Sequence, residues 1–408
     1  MKCRHCTAPV TLPLADLGTA PPSNAYLREP ALHAPERWYP LRVLVCENCW
    51  LVQAEEFAAA DALFDAEYAY FSSFSSSWLA HASAYVDEMA ERLSLGAHSQ
   101  VVEVAANDGY LLQYVVARGI PCLGVEPTAS TAAAARDRGI EIVERFFGVA
   151  LARELVAQGR AADLTVANNV LAHVPDINDF VAGFSVLLKP QGVATFEFPH
   201  LLQLVQQCQF DTLYHEHFSY LSLTTVQRIF AANGLTVTDV QELPTHGGSL
   251  RVFAQRSDAG AQPHERVATL LAREAAAGVS SAAFYGSLQA EALRIKRELL
   301  GFLLDCHARG LKVGAYGAAA KGNTLLNFAG VRADLLPYVV DRNPAKQGQF
   351  LPGSRIPIVD EAHLRAHRPD RVLILPWNLR DEVTVQLDYV RAWGGQFAVA
   401  VPRMEVFA

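Results

Sequence analysis

The sequence predicts an α/β protein: a doubly wound parallel sheet, preceded by a small metal-binding module and followed by a second, smaller α/β unit. Three observations predict it. Short apolar runs alternate with helical stretches from residue 100 to 198, the grammar of a parallel sheet covered on both faces. The same grammar restarts at Leu311–Ala315. Two Cys-x-x-Cys pairs, Cys3/Cys6 and Cys46/Cys49, stand ahead of both.

Four of the seven cysteines lie in those pairs. A two-residue gap lets one tight turn aim both sulfurs at one ion, so the pattern reads as a closed tetrahedral zinc site of four thiolates. Two disulfides are the competing reading. Met1 is followed at once by Lys2 and Cys3, with no apolar leader stretch. That points to a cytoplasmic protein whose thiols stay reduced. Four protein ligands leave no position for water, so the zinc is expected to be structural. The 408 residues suffice for two or three domains. A net charge of −8 and the lack of a dense Lys/Arg run speak against nucleic acid. No apolar stretch reaches the length of a membrane span. A monomer is the working expectation, with the oligomeric state left open.

The elements follow in order. Residues 1–65 form the metal module, with a strand at Tyr39–Val45. The central domain covers 66–255, of which 66–95 is linker, lid and helix. Residues 68–77 read YAYFSSFSSS, a polar loop or helix cap. Apolar positions at helical spacing then predict a helix over 79–95. Strands are expected at Gln100–Val104, Cys122–Val125, Glu141–Val143, Leu164–Ala167 and Val193–Phe198. Helices fall between them: from Tyr110, over Ala129–Arg138, near 148–158 and over 177–188. Residues 256–408 make the third block. It opens with one long Ala-rich helical stretch to about 309. Strands follow at Leu311–Ala315, Tyr338–Val340 and Arg371–Leu375, with a last strand at Phe397–Val401.

Chemistry in an open parallel sheet collects at the carboxyl ends of its strands. Glu103 stands in the first strand and Glu126 ends the second. A carboxylate there can accept from both hydroxyls of an adenosine ribose, and the spacing of about twenty residues agrees. A dinucleotide fingerprint would place glycine where Ala105 and Asn107 stand, but only Gly109 remains. Pyrophosphate, which needs close backbone approach, is therefore disfavoured. S-adenosylmethionine carries no phosphate and fits. Asn107, Asp108, Gly109, Pro127 and the pair Asn168–Asn169 complete the expected donor site.

At this point the chain resembles a known family. EVAANDGYLL (103–112), GVEP (124–127), Asn168–Asn169 with LAHVPD (171–176), YHEHFSYLS (214–222), THGGSLRV (245–252) and YGAAAKGNTLLNF (316–328) together resemble the sugar C-methyltransferases. The resemblance covers nearly the whole chain. It implies a class I methyltransferase Rossmann-like doubly wound sheet between an N-terminal four-cysteine zinc module and a C-terminal Rossmann-like α/β domain. It implies S-adenosyl-L-methionine as methyl donor and a structural Zn2+. The implied reaction methylates C3 of a nucleotide-linked 4-keto deoxysugar, for branched sugars. Ala105 departs from the glycine that many methyltransferases carry, and is expected to push the backbone slightly away from the methionine moiety.

A ketone at C4 acidifies the hydrogen at C3. The enzyme then needs a base, a donor for the oxyanion and an aligned methyl group. His217 is the first choice for the base, because imidazole titrates near neutral pH. Tyr214 is the second candidate, as base or oxyanion donor. Glu216 is read as orienting an imidazole or binding a sugar hydroxyl, while His215 is expected to face solvent. His173 is read as a substrate ligand or a donor to the C4 oxygen, with loop capping as the alternative. A packing role is the ordinary alternative for any single histidine. Tyr70 matches the family's N-terminal active-site tyrosine, with Tyr68 as the other register; 66–77 would then be a lid. His246-Gly247-Gly248 reads as a hairpin turn open to sugar or phosphate. GAYGAAAKG (314–322) opens a helix whose amides and Lys321 suit a phosphate. Asp341 would take a ribose. Read alone, that loop suggests an NAD-dependent nucleotide-sugar oxidoreductase, although the G-x-G-x-x-G spacing is missing. The resemblance assigns it to the substrate's nucleotide diphosphate. A non-catalytic zinc adaptor is the third reading, disfavoured by the acidic charge and the YHEHF cluster.

Overall fold

The computed structural model describes residues 1–57 and 71–408. The N-terminal module is an antiparallel sheet of β1 (Leu12–Ala20), β2 (Tyr39–Val45) and β3 (Val52–Ala54). Both cysteine pairs fold as the same tight turn. Thr7 N donates to Cys3 O at 3.0 Å, and Trp50 N to Cys46 O at 2.7 Å. The residue after each pair takes a left-handed backbone, with φ of 61° at Thr7 and 65° at Trp50. That conformation is unfavourable for both side chains and is accepted so that the sulfurs converge.

The central domain opens with α1 (Ser76–Arg92), which starts three residues earlier than its apolar spacing suggests. Ser75 explains this, because its hydroxyl caps the helix by accepting from Trp78 N. Then come β4 (Val101–Val104), α2 (Leu112–Ala117), β5 (Cys122–Val125), α3 (Ala129–Asp137), β6 (Ile142–Val143), α4 (Val149–Ala157), β7 (Ala162–Asn168), α5 (Ile177–Leu187) and β8 (Leu188–Pro199). After α6 (Leu201–Gln206) and a two-residue strand β9 (Ser219–Tyr220), α7 (Leu223–Ala232) leads to the hairpin of β10 (Leu235–Leu243) and β11 (Ser249–Arg256). The seven-stranded sheet runs β10-β11-β8-β7-β4-β5-β6. Its parallel strands reverse at the antiparallel pairing of β11 with β8. The chain order changes direction at β4, which lies between β5 and β7. That crevice is where such sheets bind ligands. The strand β9 leaves this sheet. It pairs with β3 of the module instead, Val52 opposite Tyr220 and Gln53 opposite Ser219.

The third block departs from the single helix expected up to residue 309. It breaks into α8 (Glu265–Ala277), α9 (Ala282–Tyr285) and α10 (Leu288–Ala308). Gly278, at φ 85°, ends the first of them in a left-handed cap. The sheet then forms from β12 (Val313–Tyr316), β13 (Val339–Val340), β14 (Ile358–Val359), β15 (Arg371–Ile374), β16 (Gln396–Val399) and β17 (Glu405–Phe407), in the order β14-β13-β12-β15-β16-β17. The strand expected at Phe397–Val401 is thus Gln396–Val399, and it is not the last. The chain turns back as β17, antiparallel to it. Helices α11 (Ala320–Ala329), α12 (Glu361–His367) and α13 (Arg380–Gln386) cover this sheet.

One apolar core welds the module to the third block. Leu14, Val43 and Val45 pack in the same cluster as Leu288, Ile295 and Leu326. On its other side the module shares a core with the central domain, through Leu44 and Leu51 against Leu171, Phe184 and Leu221. Among the described residues no helix is long and apolar enough to cross a membrane.

Candidate active site

The donor end lies at the strand ends around β4. Ala105, Asn107 and Gly109 adopt φ of 60°, 49° and 77°. Ala105 therefore takes the backbone a glycine would take, at a local strain of ~1–2 kcal/mol, rather than moving the loop aside. Gly109 cannot be replaced so easily, since a Cβ there would sit 2.3 Å from Ile140 Cδ1. Glu126 braces the loop: its carboxylate accepts from Asn107 N and Thr128 N, both at 2.9 Å. Burial pushes it above the ordinary carboxylate range. Pro127 follows it between β5 and α3. Glu103 is fully buried, and burial raises it well above that range against the help of the Tyr110 hydroxyl. Asp108 Oδ1, Asn168 Oδ1 and Asn169 Oδ1 are buried acceptors without a partner among the described residues. Such atoms call for donors on a ligand. S-adenosylmethionine offers ribose hydroxyls, an ammonium group and an adenine amine, so the residues present fit it.

The aromatic-serine stretch reaches this loop. Ser72 N donates to Asn107 Oδ1 at 2.9 Å, and Ser73 N to Asp108 Oδ2 at 3.3 Å. Arg138 adds a bond to Ser73 Oγ at 2.9 Å. Tyr68 and Tyr70 lie outside the described residues.

The loop 213–218 gathers the candidate catalytic groups. The His217 ring lies 4.0 Å from Tyr214, 4.6 Å from His173 and 5.7 Å from Tyr220, centre to centre. His173 Nδ1 is 2.8 Å from Glu216 O. Burial holds His217 well below the usual imidazole range, reinforced by His173. Burial likewise brings His173 down to about 4. Both rings are therefore neutral at neutral pH, the state in which an imidazole can take a proton. Glu216 is buried and raised by that burial, with Asn24 as a bonding partner. His215 does not face solvent as expected: it is 8% exposed, edge-on to the Tyr39 ring and bonded to Tyr39 O at 3.3 Å. The tight turn that presents His217 inward leaves His215 pointing at the module.

From the other side comes the turn between β10 and β11. His246 sits at φ 56°, and burial brings its imidazole down to about 4. Gly247 and Gly248 have φ of 88° and 114°, and a Cβ on Gly247 would meet Trp377 at 2.5 Å. The third block delivers Lys321 from the first turn of α11. Its ammonium bonds Asn378 Oδ1 at 2.6 Å and lies 4.9 Å over the Trp377 ring. Trp377 Nε1 in turn donates to the buried Asp211 at 2.8 Å, whose carboxyl burial pushes up to about 6. Asp341 is engaged as Glu126 is. Its two oxygens accept from Ala318 N and Asn343 N, both at 2.8 Å, and so tie down the loop before α11.

Sequence reasoning missed Glu197. It lies near the end of β8, fully buried, and accepts from His81 at 2.9 Å, Arg251 at 3.2 Å and Thr245 at 3.1 Å. An acid inside TFEFP, an otherwise apolar strand, was the available signal. His81, stacked on Trp78 at 4.9 Å, gave none.

The four cysteines meet as expected, with their sulfurs all within 4.8 Å of one another. Cys3 faces Cys49 at 3.5 Å and Cys6 faces Cys46 at 3.5 Å, while Gln53 Nε2 donates to Cys3 Sγ at 3.3 Å. Every pair is too long for a disulfide and the set suits one tetrahedral ion. The four thiolates and the Gln53 donor fit zinc and leave it no open position.

A seven-stranded sheet of this order, with a glycine-pinched loop and an acid at the end of the second strand, defines a class I S-adenosylmethionine-dependent methyltransferase. Three family models divide the chain: a zinc binding domain over 3–64, a methyltransferase domain over 78–240 and a C-methyltransferase C-terminal domain over 244–402. The chain is 33% identical to the C-methyltransferase NovU of Streptomyces niveus over 407 residues, covering 100% of this chain and 97% of that protein. The chain belongs to the C-methyltransferase family, with S-adenosylmethionine and zinc as its cofactors. Among solved structures, magnesium protoporphyrin IX methyltransferase of Synechocystis PCC 6803 with bound SAH is similar at a TM-score of 0.36 and 15% identity, over 44% of this chain and 83% of that one. The PH0226 protein of Pyrococcus horikoshii OT3 is similar at 0.38 and 14%, over 46% and 94%.

Proposed function

We propose that the protein methylates C3 of a nucleotide-linked 4-keto deoxysugar through an enolate, in branched-sugar biosynthesis. The observation that carries this reading is the cluster of the neutral His217 and His173 rings with Tyr214 and the buried Glu216 carboxyl, facing Lys321 and His246. S-adenosylmethionine, when bound, supplies an electrophilic methyl group. His217 takes the C3 proton, and the electrons of that C–H bond move into the C3–C4 bond and onto the C4 oxygen. Tyr214 donates to that oxygen, because neutral His173 already spends its one ring proton on Glu216 O through Nδ1. C3, so activated, would face the methyl group of a donor held by the 105–109 loop, with the C–S electron pair leaving on sulfur. Lys321 and the amides opening α11 bind the diphosphate as anion partners. Ser72 and Ser73, bonded to the donor loop, shield that side of the site from water.

The test is incubation with a panel of 4-keto nucleotide sugars and labelled methyl donor. His217→Ala should lose ~10²–10⁴-fold in transfer and lose exchange of the C3 hydrogen with deuterated solvent. Full transfer by that variant would remove His217 as base. Calorimetric binding of NAD, with none of S-adenosylhomocysteine, would overturn the reading as a whole.

A further inference from the structure

Between β1 and β2 the chain leaves the module as a strap and crosses to the third block. Ser23 meets Thr324 through their hydroxyls at 3.4 Å, and the Tyr26 hydroxyl donates to Ala318 O at 2.7 Å. Leu27 then pairs with Phe350, their backbone bonds measuring 2.9 and 2.8 Å. The strap is thus fixed to the loop and helix that carry Lys321. Asn24 lies between the two anchors, and its side chain turns the other way. Its Nδ2 donates to Glu216 Oε1 at 3.3 Å.

Glu216 is 1% exposed, and its Oε2 has no partner among the described residues. A carboxyl buried that deeply with one oxygen unfilled is costly unless a ligand completes it. The titratable groups around it are Tyr26 from the strap, Tyr220 from β9, and His173 and His217. Lys346 stands behind Tyr26, 5.1 Å over its ring. Asn24 is the side chain that bonds the carboxylate, and it joins the backbone amides of Glu216 and Asn24 in opposing the upward push of burial.

We propose that Asn24 is a positioning residue, which holds Glu216 with its second oxygen open to a hydroxyl or amino substituent of the sugar. The inference rests on the sugar reading above and adds a route. Because Ser23 and Tyr26 are anchored beside Lys321, the loop assigned to the nucleotide sets where Asn24 stands. Asn24 in turn sets how Glu216 meets the sugar. The strap would so match the two ends of one substrate.

Two variants test it in the full chain loaded with S-adenosylhomocysteine. Asn24→Ala removes the donor. Asn24→Asp keeps the shape but sets a second acid against Glu216, so that one proton is shared between them. The infrared carboxyl band of Glu216, isolated by difference from Glu216→Gln, is titrated without any sugar. Its midpoint should rise from the native protein to Asn24→Ala and again to Asn24→Asp, with melting temperature and S-adenosylhomocysteine affinity unchanged. With a sugar that the native enzyme turns over, kcat/KM at pH 7 should fall ~10-fold in Asn24→Ala, the order expected for losing a bond to a charged group. It should fall further in Asn24→Asp, which recovers activity as pH drops and the shared proton binds. An identical Glu216 titration in all three proteins would overturn the proposal. Shifted titrations together with a native enzyme that methylates no 4-keto sugar would support the Asn24–Glu216 link and overturn the sugar reading instead.

Discussion

Gly109→Ala tests the donor site where its geometry is tightest. Gly109 lies at φ 77°, and the new methyl would stand 2.3 Å from Ile140 Cδ1 and 3.3 Å from Ala135 Cβ. The left-handed backbone costs ~1–2 kcal/mol for a side chain, and overpacking adds ~1–3 kcal/mol. The Ile140 tip can yield but the α3 backbone cannot. The loop is the softer partner, and it would retreat from Glu126, stretching the 2.9 Å bond from Asn107 N. If about 3 kcal/mol of this falls on the bound state, S-adenosylhomocysteine affinity drops on the order of a hundredfold. Isothermal calorimetry on the full chain measures it. Ala105→Gly is the internal control. Glycine relieves the strain at φ 60° but adds a comparable ~0.4–1 kcal/mol of unfolded-state entropy, so affinity should change little. Binding by Gly109→Ala within threefold of native would refute the reasoning, because the loop would then have room that the structure denies it.

Other outcomes follow from the same geometry. Removing zinc with a chelator, or by Cys46→Ser, should abolish transfer while S-adenosylhomocysteine binding stays within ~3-fold, since the donor loop shares no strand with the module; full transfer by metal-free protein would refute this. The pH profile of kcat/KM should keep its acid limb below the ordinary imidazole value of about 6.5, because burial depresses His217 and a depressed base stays unprotonated to lower pH. An acid limb at or above that value would refute the desolvation argument. The same depression costs stability in acid. With His173 brought down to about 4, the unfolded chain binds more protons than the native one between roughly pH 6.5 and 4. The melting temperature should therefore fall more steeply from pH 7 to 5 in the native protein than in His173→Gln, and parallel curves would exclude that contribution.

The sheet was legible because its strands are short apolar runs broken by turns, a pattern local in sequence. The turn of the β10–β11 hairpin was legible in His246-Gly247-Gly248, but its strands were not, since LTVTDVQEL mixes polar and apolar residues on a half-buried edge. The break at Gly278 was hidden in an alanine-rich stretch whose helical propensity runs through it. The four cysteines were legible because metal geometry is written in spacing. His217 and His173, 44 positions apart in number, were proposed separately; only the fold could show their rings in contact. Glu197 and Asn24 act through partners 48 or more residues away, and no local pattern encodes such pairs. The inward burial of His215 was missed for the same reason, as its cover comes from Tyr39 in the module.

The pairing of β9 with β3 has a consequence for how these enzymes can be taken apart. A fragment holding only the central domain would carry the donor loop intact. It would also present Tyr220 and Ser219 as an unpaired edge beside the buried Phe218 and Leu221, a template for aggregation. For anyone exchanging specificity between relatives, the unit of inheritance is therefore not a domain. It is the cysteine module, its strap and residues 213–222 transplanted together, because none of the three has a complete surface without the other two.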